Sequence, residues 1–406
     1  MVTASHAGLD RARASGYLGG MQRISIPERA NWRALAEAEG FVFHSICGDP
    51  YWDESAYYRF TLQQIERDLE APAEELHQMC LALVDRAVAD SELMEALRIP
   101  RFAWDFVASS WLDGERGLYG RFDFIYDGAG PAKLMEYNAD TPTAVYETAW
   151  FQWGWLEDLC ARGDLPAEAD QFNSLHEKLV ERFRALFHPG DFVHFASVRD
   201  MPEDQATVRY LQDCAVQAGL ETGFVFVEEI GLDADGCFVD AADVIVQAAF
   251  KLFPWEEMLA SDYAAALMGA PTRWLEPPWK AILANKAILP LLWRFFPGHP
   301  NLLPSYFEGD AGAADLQGSV VRKPIFGREG ANITVYHRGA ERFARGGDYG
   351  EEGFILQAYR PLPVTRGGHT MIGAWMVGDA AAGIGIREDA TPVTSDDARF
   401  LPHIIL

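Results

Sequence analysis

The sequence predicts a mixed α+β protein with large antiparallel sheets, and three observations predict this class. Two strand-like runs flank "DGAGP", a stretch typical of a hairpin turn. The segment 192–231 has the pattern of a strand, a helix and a second strand. The last third of the chain alternates apolar strands with glycine-containing turns. The 406 residues, 49% of them hydrophobic, are enough for a large core and for two or three subdomains.

The first predicted region, residues 1–120, is expected to be mainly helical after a loosely structured start over residues 1–30. One apolar stripe recurs at helical spacing, and its members are Tyr58, Leu62, Ile65 and Leu69. Pro72 is expected to interrupt this helix, and a second apolar stripe follows over residues 76–84. Both stripes are interpreted as faces that pack into a core.

The second predicted region, residues 121–270, should contain the hairpin and an α/β part. Because side chains alternate along a strand, the aromatic residues of "RFDFIY" share one face, which suits packing. The other face of the hairpin can be polar, with the members Arg121, Asp123, Glu136 and Asn138. Residues 146–187 are predicted to be mostly helical, and residues 203–218 to form the helix of the βαβ unit.

The third predicted region, residues 271–406, begins with "KAILANKAILPLLWRFF", which reads as a helix that carries Lys286. The strands predicted after it are "SVVRKPIF", "NITVYH", "GFILQAY", "TMIGAWMVG" and "AAGIGIRE".

Charge and cysteine content limit the class of protein. The chain has 34 basic and 60 acidic residues, a net charge of −26, which argues against nucleic-acid binding because phosphate contacts need clustered Lys and Arg. It is compatible with a cationic substrate, although ordinary solubility is the favoured explanation. Five cysteines without a CxxC pair indicate reduced thiols. With no secretory signal and no apolar run near ~18 residues, we expect a cytoplasmic protein without membrane contact.

Asp123, Glu136 and Asn138 form the first candidate site. Two carboxylates and an amide offer oxygen ligands of the kind that suits Mg²⁺ or Mn²⁺ rather than zinc. Arg121 beside them could meet phosphate or carboxylate oxygens with two hydrogen bonds. Two alternatives stay open at this point. One is an exposed polar face of the hairpin, which the spacing alone favours, and the other is a glycosidase-like carboxylate pair.

Lys323 and the loop after it, in "VVRKPIFGREGANITVYH", form the second candidate site. The backbone N–H groups of a glycine-containing loop can lie over phosphates while a lysine at the strand end reaches the same oxygens. The order of residues is not that of a Walker A motif, and an ordinary glycine turn is the alternative. Lys286, in its apolar stretch, could equally extend to solvent.

Two further strand ends complete the candidates. The strand in "EEGFILQAYRPLP" can offer backbone groups at residues 357–359 to a purine edge among apolar neighbours, and a plain strand end is the alternative. The strand in "AAGIGIRED" delivers Arg387, which is either structural or able to stabilise charge in a transition state. Together these features are what the ATP-dependent activation of a carboxylate requires.

The chain resembles the glutathionylspermidine synthase family, a family of ATP-grasp ligases. The resemblance covers most of the chain, and its motifs are "RFDF", "MEYNADTPT", "VRKPIFGREGANI", "ILQAYRPLP" and "GIRED". We expect the stand-alone synthetase-like branch, without the amidase half of the bifunctional members. In common ATP-grasp enzymes the E-x-N metal strand follows the ATP-binding lysines, whereas here it precedes Lys286 and Lys323. The resemblance therefore implies a permuted ATP-grasp fold, with the helical and βαβ parts as a pre-ATP-grasp region.

The resemblance also implies a role for each candidate residue. Two Mg²⁺ ions would be held by Asp123, Glu136 and Asn138. ATP would be bound by Lys286, Lys323, Gly327, Arg328, Gly330, Gln357, Ala358 and Tyr359, with the lysines at the phosphates and the last three residues at the adenine. Arg121 and Arg387 would be catalytic, because they would stabilise the acyl phosphate and the tetrahedral intermediate.

Thr141, Thr143, Glu203 and Asp204 would contact the substrates. The characterised branch has serines at the two threonine positions, and the acidic pair in "MPEDQ" resembles the pair that contacts glutathione and polyamine there. The threonines, together with the departure at "FKLFPWEEM", leave the identity of the acid and the amine undetermined.

The implied function is an ATP- and Mg²⁺-dependent ligase that joins a peptide or amino-acid carboxylate to an amine or polyamine through an acyl phosphate. The alternative is a nucleotide- or polyamine-binding module without ligase activity. The expected partners are small molecules rather than nucleic acid or membrane, and the sequence does not determine the oligomeric state.

Overall fold

The structure, a computed structural model, describes residues 20–46, 48–396 and 398–406. The α-helices α1 to α10 span, in chain order, Trp32–Ala38, Ala71–Ala87, Ser91–Ala96, Trp104–Leu112, Gln152–Arg162, Leu175–Leu186, Pro202–Gln217, Trp255–Ala260, Ala264–Leu267 and Ile288–Phe295. Turns of π-helix span Gln64–Glu70 and Glu147–Phe151, and 3₁₀-helices span Arg101–Ala103, Val227–Glu229, Pro278–Ile282 and Ala311–Leu316.

The strands β1 to β22 span Gln22–Ser25, Ser45–Ile46, Asp49–Pro50, Ala56–Phe60, Tyr119–Ile125, Lys133–Asn138, Phe192–Ser197, Glu221–Phe226, Gly231–Leu232, Phe238–Val239, Ala248–Leu252, Arg273–Leu275, Ser305–Phe307, Val320–Pro324, Thr334–His337, Ala340–Ala344, Phe354–Ala358, Val364–Thr365, Gly368–Val377, Ala380–Asp389, Arg399–Leu401 and His403–Ile405. The predicted mixture of helices and strands is therefore confirmed.

A six-stranded sheet carries the predicted hairpin. Its order is β21-β20-β19-β5-β6, with β18 paired to β19, and all of its pairings are antiparallel. The strands β5 and β6 are the predicted hairpin, whose antiparallel pairing is confirmed. Since β19 to β21 come from the end of the chain, this sheet joins the second and third of the predicted regions.

The hairpin contains a bulge beside the candidate metal ligands. Asp123 pairs with Glu136 and Phe124 pairs with Leu134, so Met135 has no partner opposite it in β5. Directly paired residues point to the same face of a sheet. The bulge thus keeps Asp123 and Glu136 on one face and leaves the Met135 carbonyl available to another strand.

Two other sheets flank the site. The order β12-β11-β7-β8 is parallel throughout, and α7 connects β7 to β8, which confirms the predicted βαβ unit. The order β13-β17-β14-β15-β16 is antiparallel and contains most of the strands predicted for the last third. Apolar side chains from α2, α10 and the six-stranded sheet form the largest buried cluster. Each large apolar side chain buried there contributes about 1.5–3 kcal/mol to stability.

Two helix predictions were wrong in detail. Tyr58 lies in β4, and Pro72 does not interrupt a helix but lies in the first turn of α2, where its missing N–H is tolerated. The helix expected over residues 280–296 is divided into a 3₁₀-helix and α10, with Lys286 between them. The Asn285 side chain donates to the Leu97 carbonyl and accepts from the Ala287 N–H, so it replaces helical backbone bonds.

The start of the chain has more order than the sequence suggests. Residues 22–25 form β1, which pairs with β4, while residues 1–19 of the predicted loose start lie outside the described residues. Among the described helices, none combines the length and the apolar composition that crossing a membrane requires.

Candidate active site

All of the predicted site residues line one cleft of about 260 Å³. The six-stranded sheet contributes Arg121, Asp123, Glu136 and Asn138, while β14 and β17 of the five-stranded sheet contribute Lys323 and residues 357–358. Residues more than two hundred positions apart in sequence thus meet because two sheets converge here.

The polar face of the hairpin is not exposed to solvent: Glu136 and Asn138 are half-buried, and Arg121 and Asp123 are buried. Arg121 and Asp123 are 9% and 3% exposed, so the alternative of an exposed polar face was wrong. Arg121 donates from Nε to Asp123 Oδ1 at 2.7 Å and from Nη2 to Oδ2 at 3.1 Å, and Asn138 Nδ2 donates to the same Oδ2 at 3.0 Å. Burial raises the pKa of Asp123, despite the guanidinium of Arg121 beside it.

Glu136 faces the lysines rather than Arg121. Its Oε2 lies 3.3 Å from Lys286 Nζ. Burial alone would raise the pKa of Glu136, but the charges of Lys286, Lys323 and Arg121 lower it to about 2. The carboxylate is therefore ionised at neutral pH, which suits a cation ligand and does not suit the general acid of a glycosidase.

The two lysines are held by neutral oxygens as well. Lys286 Nζ donates to the Gly327 carbonyl at 2.6 Å, at the start of the glycine loop. Lys323 Nζ donates to Gln357 Oε1 at 2.8 Å and to the carbonyl of the bulged Met135 at 3.0 Å. Burial lowers the pKa of Lys323 to about 8, although the charge of Glu136 opposes this shift.

The residues predicted to contact the adenine already use several of their hydrogen-bonding groups within the protein. The Gln357 side chain is 2% exposed and is used internally, because its Nε2 also donates to the Leu134 carbonyl at 3.1 Å. The Ala358 N–H donates to the Pro304 carbonyl, and the Tyr359 N–H donates to the Ser319 carbonyl. These residues line the cleft, but their backbone donors already have protein partners.

The glycine loop needs its glycine at one position. Gly330 has φ +70°, and a Cβ there would lie 2.7 Å from Val393 Cγ1. The Arg328 guanidinium in this loop donates to Thr141 Oγ1 at 3.0 Å and lies 3.7 Å from Glu256 Oε1. Arg328 therefore joins the loop to the segment that carries the predicted acid-substrate residues.

The substrate-side threonines contact two of the arginines that line the cleft. Thr141 accepts from Arg328, and the Thr143 carbonyl accepts from Arg121 Nη1 at 2.9 Å. Asp140, just before them, also lines the cleft, and its carboxylate forms a buried ion pair with Lys251 at 2.6 Å and accepts from the Trp255 N–H at 2.8 Å.

Arg387 has unused hydrogen-bonding capacity. Its Nη2 donates to the Ser395 carbonyl at 2.7 Å and the Asp396 carbonyl at 3.2 Å. Its buried Nε has no hydrogen-bond partner among the described residues. A buried donor without a partner is costly, so an anionic ligand oxygen would fit beside it.

Glu203 and Asp204 lie in the first turn of α7, at the rim of the cleft. Burial and the neighbouring charge of Glu203 raise the pKa of Asp204 to about 7. Sequence reasoning missed two residues behind this pair, Tyr51 and Glu147. They lie 96 positions apart and are joined by a hydrogen bond, and no local pattern marks either one.

The donor set fits a hard cation. Asp123 pairs directly with Glu136 across the hairpin, and Asn138 is bonded to Asp123, so three oxygen-bearing side chains adjoin on one face. Within the described residues no cluster of three His, Cys, Asp or Glu side chains offers another metal site. Carboxylate and amide oxygens together with substrate phosphates are the usual Mg²⁺ ligands.

A family model and a relative of known sequence each match nearly the whole chain. Residues 23–406 match the family model described as glutathionylspermidine synthase preATP-grasp. A Haemophilus influenzae protein named "Putative acid--amine ligase" is 40% identical over 398 residues, which cover 94% of this chain and 99% of that protein.

Two longer relatives match over most of this chain. The trypanothione synthetase of Crithidia fasciculata is 31% identical over 407 residues, covering 92% of this chain and 61% of that protein. The bifunctional glutathionylspermidine synthetase/amidase of Escherichia coli is 28% identical over 401 residues, covering 92% of this chain and 62% of that protein. The chain thus spans about three fifths of the length of these two relatives.

A solved structure shows a related fold. A glutathione synthetase-like effector from Globodera pallida superposes with a TM-score of 0.52, covering 86% of this chain and 89% of that chain at 12% identity. At this identity the likeness concerns the fold alone.

Proposed function

The chain belongs to the glutathionylspermidine synthase family, and on this premise we propose that it is an ATP- and Mg²⁺-dependent ligase that joins a small-molecule carboxylate to an amine. The observation that carries the proposal is the meeting of Lys286 and Lys323 with Asp123, Glu136 and Asn138 in one cleft. Phosphate-binding cations beside oxygen ligands for Mg²⁺ are what phosphoryl transfer needs.

We propose a permuted ATP-grasp arrangement for this cleft. Its support is the order along the chain, since the strand with Glu136 and Asn138 precedes Lys286 and Lys323. In this arrangement the glycine loop, from Gly327 to Gly330, covers the phosphates.

Different residues of the cleft are proposed to bind the phosphates and the metal ions. Lys286 and Lys323 would hold the phosphates of ATP, and Asp123, Glu136 and Asn138 would hold two Mg²⁺ ions. When bound, Mg²⁺ neutralises charge on the phosphoryl group that is transferred.

The arginines act on the acid substrate. Arg121, fixed by Asp123, orients the carboxylate that attacks the γ-phosphorus. The bond from this phosphorus to the β,γ-bridging oxygen breaks, so that an acyl phosphate forms and ADP leaves. Arg387 stabilises the oxyanion that forms when the amine attacks this intermediate, because its buried Nε is available for a hydrogen bond.

The substrate pocket lies beyond the phosphates. Thr141 and Thr143 are proposed to line the acid site, and Glu203 and Asp204 the amine site. The paired acidic side chains at the rim suit a cationic amine. The acid is an amino-acid or peptide carboxylate, in keeping with the enzymes named among the relatives.

A screen of acid and amine pairs tests the function. Each pair is incubated with ATP and Mg²⁺, ADP release is measured, and the amide is sought by mass spectrometry. We expect ADP release that requires both substrates, with a product lighter by one water than their sum. Thermal stabilisation by ATP and Mg²⁺ without ADP release from any pair would instead favour a binding module.

A further inference from the structure

Tyr51 and Glu147 form a buried pair directly behind Glu203. The Tyr51 hydroxyl oxygen lies 2.8 Å from Glu147 Oε1 and 3.0 Å from Glu203 Oε1. Tyr51 and Glu147 are each 1% exposed, whereas Glu203 lines the cleft. The hydroxyl therefore bridges a carboxylate that a ligand can reach and one that it cannot.

The two contacts together require a second proton. A tyrosine hydroxyl has one proton to donate, so it can donate to only one of the two carboxylates at a time. The other contact is favourable when that carboxyl group is protonated and donates to the hydroxyl oxygen. The geometry thus suits a proton that passes between Glu203 and Glu147 through Tyr51.

Glu147 is the favoured end point for this proton. Burial and the negative charge of Glu203 raise the pKa of Glu147 to about 7, although its hydrogen bond from Tyr51 and the charge of Arg387 act in the opposite direction. A carboxyl group in a dry environment prefers its neutral form, so Glu147 gains from accepting a proton.

We propose that Glu203, Tyr51 and Glu147 form a relay that takes one proton from the ammonium form of the amine substrate. This inference rests on the proposed ligase function. An N–H bond of the ammonium breaks and Glu203 receives the proton. Glu203 then passes a proton to the Tyr51 oxygen while the Tyr51 hydroxyl gives its own proton to Glu147.

Loss of this proton allows the amine to attack the acyl phosphate. The lone pair freed on the amine forms the C–N bond to the acyl carbon, and the C–O bond to phosphate breaks. The leaving phosphate takes the second proton from the nitrogen, so the products are the amide and hydrogen phosphate. The relay releases its proton to solvent before the next turnover.

The charged groups around the relay come from separate elements. Tyr51 lies just after β3, and Arg387 faces Tyr51 and Glu147 from β20. Glu203 is faced by Asp204 from the same turn of α7, by Arg121 from β5 and by Glu329 from the glycine loop. Asp204 is the competing proton acceptor, because its pKa is also raised. The Tyr51 hydroxyl is hydrogen-bonded to Glu147 and Glu203, so the geometry favours these two carboxyl groups over Asp204.

Two isosteric variants test the relay. In Glu147→Gln and Tyr51→Phe, kcat/KM for the amine should fall about 10²–10³-fold at neutral pH, while KM for ATP stays unchanged. The loss should shrink as the pH rises to about 10, because more of the amine is then already deprotonated. The substrates are the pair that gives the highest ADP release in the screen described above.

A matched control and a pH profile separate the relay from a packing effect. Tyr57→Phe removes a hydroxyl from the same aromatic cluster and should leave the profile unchanged. A loss in Glu147→Gln that is equal at every pH would overturn the relay, as would no loss at all. Wild-type kinetics in Glu147→Gln with a deficient Asp204→Asn would assign the proton to Asp204 instead.

A measurement on the protein alone keeps the two proposals distinguishable. Infrared difference spectra should show a carboxylic-acid C=O band that disappears as the pH rises through about 7 and that Glu147→Gln lacks. Its absence overturns the relay even where turnover is robust. If no acid–amine pair releases ADP, the ligase function fails and the relay's role in catalysis fails with it, whatever the spectra show.

Discussion

Lys323 and Lys286 differ in the partners that hold them. Lys323 is bonded to the amide oxygen of Gln357 and a backbone carbonyl, whereas Lys286 lies against the carboxylate of Glu136. Neutral partners leave the charge of Lys323 free to attract a phosphate. The Gln357 side chain, which we expected near the adenine, is instead a buried support for this lysine.

Replacing Glu136 should abolish catalysis but keep the fold. In Glu136→Gln the shape remains while the charge that balances Lys286 and binds Mg²⁺ is lost. We expect ADP release in the presence of acid and amine to fall at least about 10²-fold, with a circular dichroism spectrum like that of the wild type. The control Glu157→Gln changes an exposed carboxylate on α5 and should retain activity. Wild-type turnover in Glu136→Gln would contradict the metal assignment.

His403 makes stability depend on pH. Its Nε2 accepts from the Phe172 N–H at 3.1 Å and its Nδ1 lies 3.1 Å from Gln152 Oε1, an arrangement that needs the neutral ring. Burial lowers its pKa from 6.5 to about 3. Above pH 6.5 the ring is neutral in both the folded and the unfolded chain. As the pH falls from there towards about 3, only the unfolded chain binds the proton, so stability is lost.

The variant His403→Gln should therefore depend less on pH. Below pH 6.5 its free energy of unfolding should change by up to about 1.4 kcal/mol less per pH unit than that of the wild type. Urea unfolding at a series of pH values measures both slopes. Parallel slopes would show that the ring does not stay neutral in the folded chain.

At the scale of single elements, the bulge in β6 and the glycine loop set the geometry of the cleft. The bulge directs the Met135 carbonyl to Lys323, and the loop carries Gly327, which accepts from Lys286. Each backbone feature thus fixes one lysine. Neither lysine can be placed from the spacing of side chains along a strand alone.

Gly330→Ala should impair the loop without unfolding the protein. A Cβ at this position combines a φ of +70° with a 2.7 Å contact to Val393, which we expect to cost about 1–3 kcal/mol in the local conformation. Protection of the loop from proteolysis by ATP and Mg²⁺ should be weakened. Gly346→Ala is the matched control, because its Cβ would meet nothing within 4 Å. Equal protection in both variants would show that the loop does not close over the nucleotide.

At the scale of the whole molecule, the cleft exists only because separate sheets meet. The hairpin belongs to the six-stranded sheet, Lys323 to the five-stranded one, and Glu203 to the helix that follows β7 of the parallel sheet. A ligand that spans the cleft would therefore bind residues from all three sheets and favour the folded state.

ATP and Mg²⁺ together should raise the thermal midpoint of unfolding. At a ligand concentration of about one hundred times Kd the gain is about 2.7 kcal/mol. Adding EDTA should remove most of the gain, and Asp123→Asn should show less of it than the wild type. A shift with ATP that is the same with and without EDTA would contradict binding of the nucleotide through Mg²⁺.

The sequence by itself determined the residue types and much of the local structure. Alternation placed Glu136 and Asn138 on one face, and glycine and proline marked the turns, because these are properties of a single strand or loop. The motifs also indicated the family, which the comparison over residues 23–406 confirmed. The position of Lys286 between two short helices did not follow, because the Asn285 side chain has a partner in the distant Leu97.

Only the tertiary structure decided which polar residues are buried together. Spacing alone favoured an exposed face for Arg121 and Asp123. Their burial depends on β19, more than two hundred residues away in sequence, which pairs with β5 and brings the Trp375 ring to 5.5 Å from the Arg121 guanidinium. The contact of Tyr51 with both Glu147 and Glu203 likewise has no local signal. Burial and proximity to other charges set a carboxyl group's affinity for protons, and both arise from the packing of distant segments.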